Sequence, residues 1–120
     1  SLRTPQLHSK YLNFLSDEKL ILSKLESEYK ITKKYRWLYY TGKLSEEELS
    51  EFEWEPFELS ILKTDIDKFM ESDEDIQKIY NRIQYRRTVV DYLDSIIKVI
   101  SNRQWNIRSA IDWLKFTNGQ

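Results

Sequence analysis

The sequence predicts an all-α fold in which long helices form a hairpin-like core and a short C-terminal helix follows. Three observations carry that expectation. The 120 residues include only two Gly and two Pro, too few to turn a many-stranded sandwich or barrel. The stretch from Ser9 to Tyr40 holds neither breaker and is rich in Leu, Lys and Glu, residues with high helix propensity. Farther on, Ile76, Ile79, Ile83, Arg86, Val90, Leu93, Ile97 and Ile100 alternate steps of three and four, which is the spacing of a coiled-coil seam. With 40% hydrophobic and 32% charged residues, the composition is that of one folded domain rather than a disordered segment.

In chain order, residues 1–8 read as a disordered or cloning-derived N-terminus. A first long helix occupies residues 9–43, with Gly42 as its C-terminal stop and Tyr11, Leu15, Leu22, Leu25 and Tyr29 as its apolar stripe. A helix of roughly 30 residues is about 45 Å long. That exceeds the core this chain can build, so part of the helix is expected to pack on another chain or stand in solvent. Residues 44–72 form an acidic connector. Ser45 followed by Glu48 reads as a capping box, yet the seven Glu between Leu44 and Leu59 repel one another at helix spacing, so only partial order is expected. Phe52, Trp54 and Phe57 interrupt the acids and either fold back on a neighbouring element or act as a recognition element. From Asp73, an N-cap residue type, the seam helix is expected to run to a break at Asn102. A last helix then carries Trp105, Ile107, Ile111 and Leu114 and ends near Asn118 and Gly119. Within the seam, Arg86 either pairs with an acid as a registry device or marks where the seam leaves the interface.

Several chemistries are excluded. With no Cys and the single His8, disulfides, thiolate metal sites, Cys nucleophiles and His-dependent triads fall away. Gly42 and Gly119 are too far apart for a phosphate-cradling loop. The carboxylates Glu46, Glu47 and Glu48 have no apolar wall or cation beside them to separate an acid from a base. Asp65, Asp67, Asp73 and Asp75 lack the Gly and the closing Glu of a calcium loop. No catalytic residue, metal or cofactor is therefore expected. No run of about 18 apolar residues occurs and the first six residues lack a signal-peptide stretch, so the chain is expected in the cytosol as a non-enzyme. A membrane-surface helix anchored by Trp37 and Tyr40 is a weaker alternative.

Nineteen basic residues balance twenty acidic ones, but the signs are segregated into blocks. Between Lys30 and Lys43 five cations and four aromatics interleave with no acid. At 100° per residue, Lys30, Lys33, Arg36, Trp37 and Tyr40 share one helix face with Lys34 at its edge. Ile31, Tyr35, Leu38 and Tyr39 share the other. Cations that neutralise phosphates beside rings that stack on bases are what sequence-tolerant single-strand binding requires. The candidate DNA-binding residues are Lys30, Lys33, Lys34, Arg36, Trp37, Tyr39, Tyr40 and Lys43. A competing reading takes the cations as complements to the helix dipole and the rings as core edges. The chain is then a structural or adaptor helical oligomer without DNA binding, whose basic patch docks the acidic connector of its own or a neighbouring subunit.

The pattern K-x-R-x-x-Y-Y-x-G, here Lys34, Arg36, Tyr39, Tyr40 and Gly42, has matching company downstream in Leu62 to Asp67, Gln84 and Tyr85, Asp91 to Asp94, Ser101 to Arg103, Ile107, Ile111 and Phe116. From about Tyr11 to Gly119 the chain resembles the UvsY family, the recombination mediators of T-even-like bacteriophages. The resemblance implies a non-enzymatic factor of DNA recombination, repair and replication in the cytoplasm of the infected bacterial host. Such a factor binds single-stranded DNA, contacts the phage recombinase and the phage single-strand-binding protein, and helps load the recombinase onto strands the latter covers. It implies DNA contact by Lys34 and Arg36, and no membrane partner. It also implies a ring-like homo-oligomer of six or seven subunits, whose interface would fall on Trp105, Ile107, Ile111, Trp113, Leu114 and Phe116.

Overall fold

The computed structural model describes residues 3–119, which form four helices and no strand: α1 (Arg3–Tyr40), α2 (Glu46–Phe52), α3 (Lys63–Glu71) and α4 (Glu74–Thr117). The first helix starts earlier than its sequence indicates. Residues 3–8 are helical rather than disordered, because Pro5 falls in the first turn, where no intrahelical N–H partner is needed. Ser1 and Leu2, part of the expected tail, lie outside the described residues. At its other end α1 closes in a Schellman motif. The Lys43 N–H donates to Leu38 O at 2.9 Å and the Gly42 N–H to Tyr39 O at 3.2 Å, and Gly42 takes the left-handed φ of 70° that this closure demands.

The expected break at Asn102 does not occur: α4 runs unbroken to Thr117. Two features explain it. An exposed Asn costs only about 0.7 kcal/mol against Ala inside a helix, and no Gly or Pro follows until Gly119. The alternation of threes and fours also continues past Ile100 through Gln104 to Ile107, Ile111 and Leu114. Gln104 is a second polar member of one uninterrupted seam, so the separate C-terminal helix is the tail of α4.

The described residues divide into two compact units. One comprises 3–22 of α1 with 86–119. Here the helices run antiparallel, as the pairings of Glu18 with Arg86 and of His8 with Ser101 require. Leu15, Val90 and Leu93 form the core, with Tyr11, Leu22, Val89 and Ile97 packed against them. Arg86 stays within this interface, its Nη1 2.9 Å from both carboxylate oxygens of Glu18, so of its two readings the acid-paired one holds. Near the start of α1, Thr4 and Pro5 line a cavity with Gln104, Trp105 and Ile111 of α4. Toward the end of α4 the side chains of Trp105, Ile107, Ile111, Trp113, Leu114 and Phe116 are all exposed, Phe116 to 76%. They form two apolar faces, Ile107–Ile111–Leu114 continuing the seam and Trp105–Trp113–Phe116 opposite it.

The other unit, Ser23–Tyr85, holds the rest of α1, α2, α3 and the start of α4. Ile66, Ile76 and Ile83 are its buried apolar residues. The connector is ordered into two short helices in spite of its Glu content, for two reasons. Its first three acids, Glu46, Glu47 and Glu48, occupy the first turn of α2, where they complement the dipole and complete the Ser45 capping box. Its aromatics fold back on α1: Phe52 lies 5.0 Å from Tyr35, Trp54 5.4 Å from Tyr39, and Phe57 5.1 Å from Tyr40, measured between ring centroids. Phe69 of α3 joins the cluster 5.6 Å from Tyr40. Edge and tilted contacts of this kind add to the burial of each ring.

Candidate nucleic-acid interface

The end of α1 is organised around Asp73, the residue that opens α4. Its Oδ1 accepts the Ile76 N–H at 2.9 Å, the N-cap bond that its sequence position implies. Its Oδ2 takes two further donors: Arg36 Nε at 2.6 Å and the Tyr40 hydroxyl at 2.6 Å. Arg36 Nη2 reaches Tyr40 Oη at 3.1 Å, and the guanidinium lies 4.5 Å from the Tyr39 ring centroid and 4.4 Å from that of Trp54. The Arg36 and Asp73 side chains are only 13% and 1% exposed. Arg36 thus sits in an aromatic cage with its charge matched.

Electrostatics follow the geometry. Burial works against the charged Asp73, but the bonds from Tyr40, the Ile76 N–H and Arg36, together with the Arg36 charge, outweigh it and hold the carboxyl below its ordinary value. Burial also opposes the Arg36 charge, and the bonds to Tyr40 and Asp73 overcome it, raising that group. Burial and the bond to Asp73 raise the Tyr40 phenol, against the opposing influence of Arg36.

The division of α1 into faces therefore differs from the one its helical wheel gave. Arg36 and Tyr40 do not share the open face with Lys30 and Lys33; they turn inward to Asp73. Tyr39, assigned to the core-like face, does pack there, donating to Glu55 O at 2.6 Å. Ile31, assigned beside it, is 55% exposed. The wheel placed Arg36 by its charge among the lysines, whereas a buried acid on the facing element drew it across.

What stays open is a patch of Lys30, Lys33, Lys34 and Lys43, all exposed, around the Trp37 indole, 40% exposed. Among the described residues none of these lysines enters an ion pair with the acidic connector; Arg36 pairs with Asp73 and Asp75, and Lys68 with Asp65. Instead the Lys43 ammonium lies 4.5 Å from the Trp37 ring centroid, and Lys33 and Lys34 lie over Tyr29 and Tyr35 at 5.3 and 5.5 Å. The eight candidates thus separate into five that are exposed and three, Arg36, Tyr39 and Tyr40, that are part-buried. Sequence reasoning missed the second role of Asp73, although an N-cap carboxylate uses one oxygen for the helix and leaves another for a cation. Among the described residues no group of His, Asp and Glu is arranged to hold a metal ion, and no helix is long and apolar enough to cross a membrane.

Exposed lysines around an accessible indole, carried on an all-helical frame, combine the charge and the ring surface that single-strand binding draws on, and comparison with known proteins points to that class. A family profile described as "Recombination, repair and ssDNA binding protein UvsY" matches residues 1–120. The chain belongs to the UvsY family. It is 28% identical over 114 residues to the recombination protein uvsY of Enterobacteria phage T4, a match covering 95% of this chain and 78% of that protein. Crystal structures of the bacteriophage T4 recombination mediator protein UvsY share the fold. One form (Lattice Type IV) superposes with a TM-score of 0.74 at 23% identity, covering 96% of this chain and 81% of the other. Another (Lattice Type II) gives 0.72 at 25% identity, covering 98% and 80%.

Proposed function

We propose that this protein is a non-enzymatic recombination mediator of the infected host cytoplasm. It binds single-stranded DNA through Lys30, Lys33, Lys34, Trp37 and Lys43, and helps the phage recombinase load onto strands covered by the phage single-strand-binding protein. The observation that carries the reading is the exposed lysine patch around Trp37, none of whose lysines enters an ion pair among the described residues. Lysines supply the salt-dependent attraction to phosphates, and the indole supplies a stacking surface that every base fits. Arg36, Tyr39 and Tyr40 act as supports that fix the pitch of α1 beneath the patch. Titration of a labelled oligo-dT into the native particle tests this: binding that weakens steeply as salt is added is expected, and no binding in dilute buffer overturns it.

Self-assembly into a ring-like homo-oligomer of six or seven subunits belongs to the same proposal. The α4 seam continues through Ile107, Ile111 and Leu114, all exposed, and a second exposed apolar face of Trp105, Trp113 and Phe116 backs it. Another copy of the chain is the partner proposed for both faces. Repeating the lysine patch around one particle would turn modest single contacts into tight binding through effective concentration. A strand held in the geometry of such a particle would suit one partner better than another, and differential affinity of that kind can shift which protein occupies it. Trp113→Ala with Phe116→Ala is expected to lower the native particle mass while leaving the helical circular dichroism signal in place. An unchanged mass would remove these residues from the interface.

A further inference from the structure

Grooves flank the cationic end of the Ser23–Tyr85 unit, and their charges differ. The groove of about 480 Å³ beside Lys33 and Trp37 is walled by Asp67 and Glu71. The one of about 670 Å³ beside Trp37 and Lys43 carries Lys63, but also Glu58 and Asp67. The third, about 340 Å³, lies between α1 and α4, where Ile31 and Tyr35 face Lys78 and Arg82 with Phe52 and Trp54 at its end. Its one acid, Asp75, is 4.0 Å from Arg36 Nη1 and so already shares a cation. Lys78 and Arg82 stand one helical turn apart on the same face of α4, exposed and outside every ion pair of the described residues. A polyanion leaving the Lys30–Lys34 ridge meets carboxylates on the Trp37 side and two free cations on the Tyr35 side. Lys34, whose ammonium lies 5.5 Å from the Tyr35 ring centroid, bridges the ridge to that groove.

We propose that the groove between α1 and α4 is a second phosphate-binding site, in which Lys78 and Arg82 hold the sugar-phosphate backbone of the single strand as it passes from Lys34 across Tyr35. The rings here serve as a wall rather than a stacking platform. Trp54 is already stacked on Phe52 at 4.5 Å and contacted by the Arg36 guanidinium at 4.4 Å, so its faces are in use. The exposed methyls of Ile31 and the edge of Tyr35 offer apolar surface to the sugars, while base stacking stays with Trp37. This site rests on the reading of α1 as a single-strand-binding surface and adds a direction to it: the strand crosses from α1 to α4, not toward α3.

The test is anisotropy of a labelled oligonucleotide over a series of salt concentrations. Lys78→Ala with Arg82→Ala should flatten the dependence of log affinity on log salt by about 1.4, at about 0.7 for each phosphate contact removed, and weaken binding about twentyfold near 0.1 M salt. Lys63→Ala, on the α3 side, should change neither. Ile31→Arg, which adds a cation at the groove edge, should tighten binding and steepen the salt dependence, an effect that misfolding cannot mimic. If the Lys78 and Arg82 variant binds as the parent does with the same salt slope, while loss of Lys30 and Lys34 weakens binding, the groove assignment is wrong and the reading of α1 stands. If loss of Lys30 and Lys34 is also without effect, the α1 surface fails as well.

Discussion

Replacing Asp73 with Ala is expected to destabilise the fold by about 3 to 5 kcal/mol, the range for a buried ion pair that loses one partner. One carboxylate, 1% exposed, accepts Arg36 Nε, the Tyr40 hydroxyl and the Ile76 N–H. Its loss leaves a caged guanidinium and a phenol without their acceptor and removes the α4 N-cap, which alone costs about 1 kcal/mol. For a chain of 120 residues the change corresponds to a drop of about 12 to 20 °C in Tm. Asp73→Asn keeps an acceptor and a good cap while losing the charge, so it should fall between the parent and Asp73→Ala. The same carboxyl sets an acid limit. Its value in the folded state lies below the 3.8 of the free group, so its stabilisation is complete above that value and is lost as the pH falls through the folded-state value. Asp73→Asn should therefore show a shallower loss of stability in acid than the parent. Urea unfolding followed by circular dichroism at one fixed protein concentration, since assembly shifts apparent stability, reads all of this. A cost under about 1 kcal/mol for Asp73→Ala would show that the Arg36 cage does not depend on it.

Much of the fold was legible because it is written in periodicity and caps. The alternation from Ile76 to Ile100, the Asp73 cap, the Gly42 stop and the Ser45–Glu48 capping box all appear where the sequence puts them. These are local rules, decided within a few residues of chain. The end of α4 differs from its sequence expectation because Asn102 is a breaker only by residue type, while the seam continues past its apolar members through Gln104. The acidic connector was misjudged in the opposite way. Counting Glu residues predicts repulsion, but helix position turns the first three into favourable groups, and the aromatic contacts to Tyr35, Tyr39 and Tyr40 are tertiary. For the site, residue types pointed to the right segment, and the wheel then divided it incorrectly. Whether a cation on a helix faces water or a partner depends on what the facing element carries, and Asp73 lies 37 positions away from Arg36.

That division has a measurable consequence for binding. Lys30→Gln, Lys33→Gln and Lys34→Gln together should weaken single-strand binding about a hundredfold near 0.1 M salt and flatten the salt dependence by about 2, because each phosphate contact on a single strand contributes about 0.7 to that slope. A short oligonucleotide, about ten nucleotides, keeps the measurement on one protomer's surface and so free of any multiplication across copies of the proposed particle. The three lysines are exposed and outside any ion pair, so the cost in stability should stay within about 1 to 2 kcal/mol, the worth of the two exposed cation–π contacts of Lys33 and Lys34, which separates this variant from Asp73→Ala. Trp37→Ala should behave differently again: stacking is worth about 1 to 3 kcal/mol per base and carries no counterion, so affinity should fall while the salt slope stays. Arg36→Ala should lower Tm along with binding, as expected of a brace rather than a contact. If the triple lysine variant loses affinity with its slope intact, the lysines do not meet phosphates. If it retains both, the patch around Trp37 is not where the strand lies.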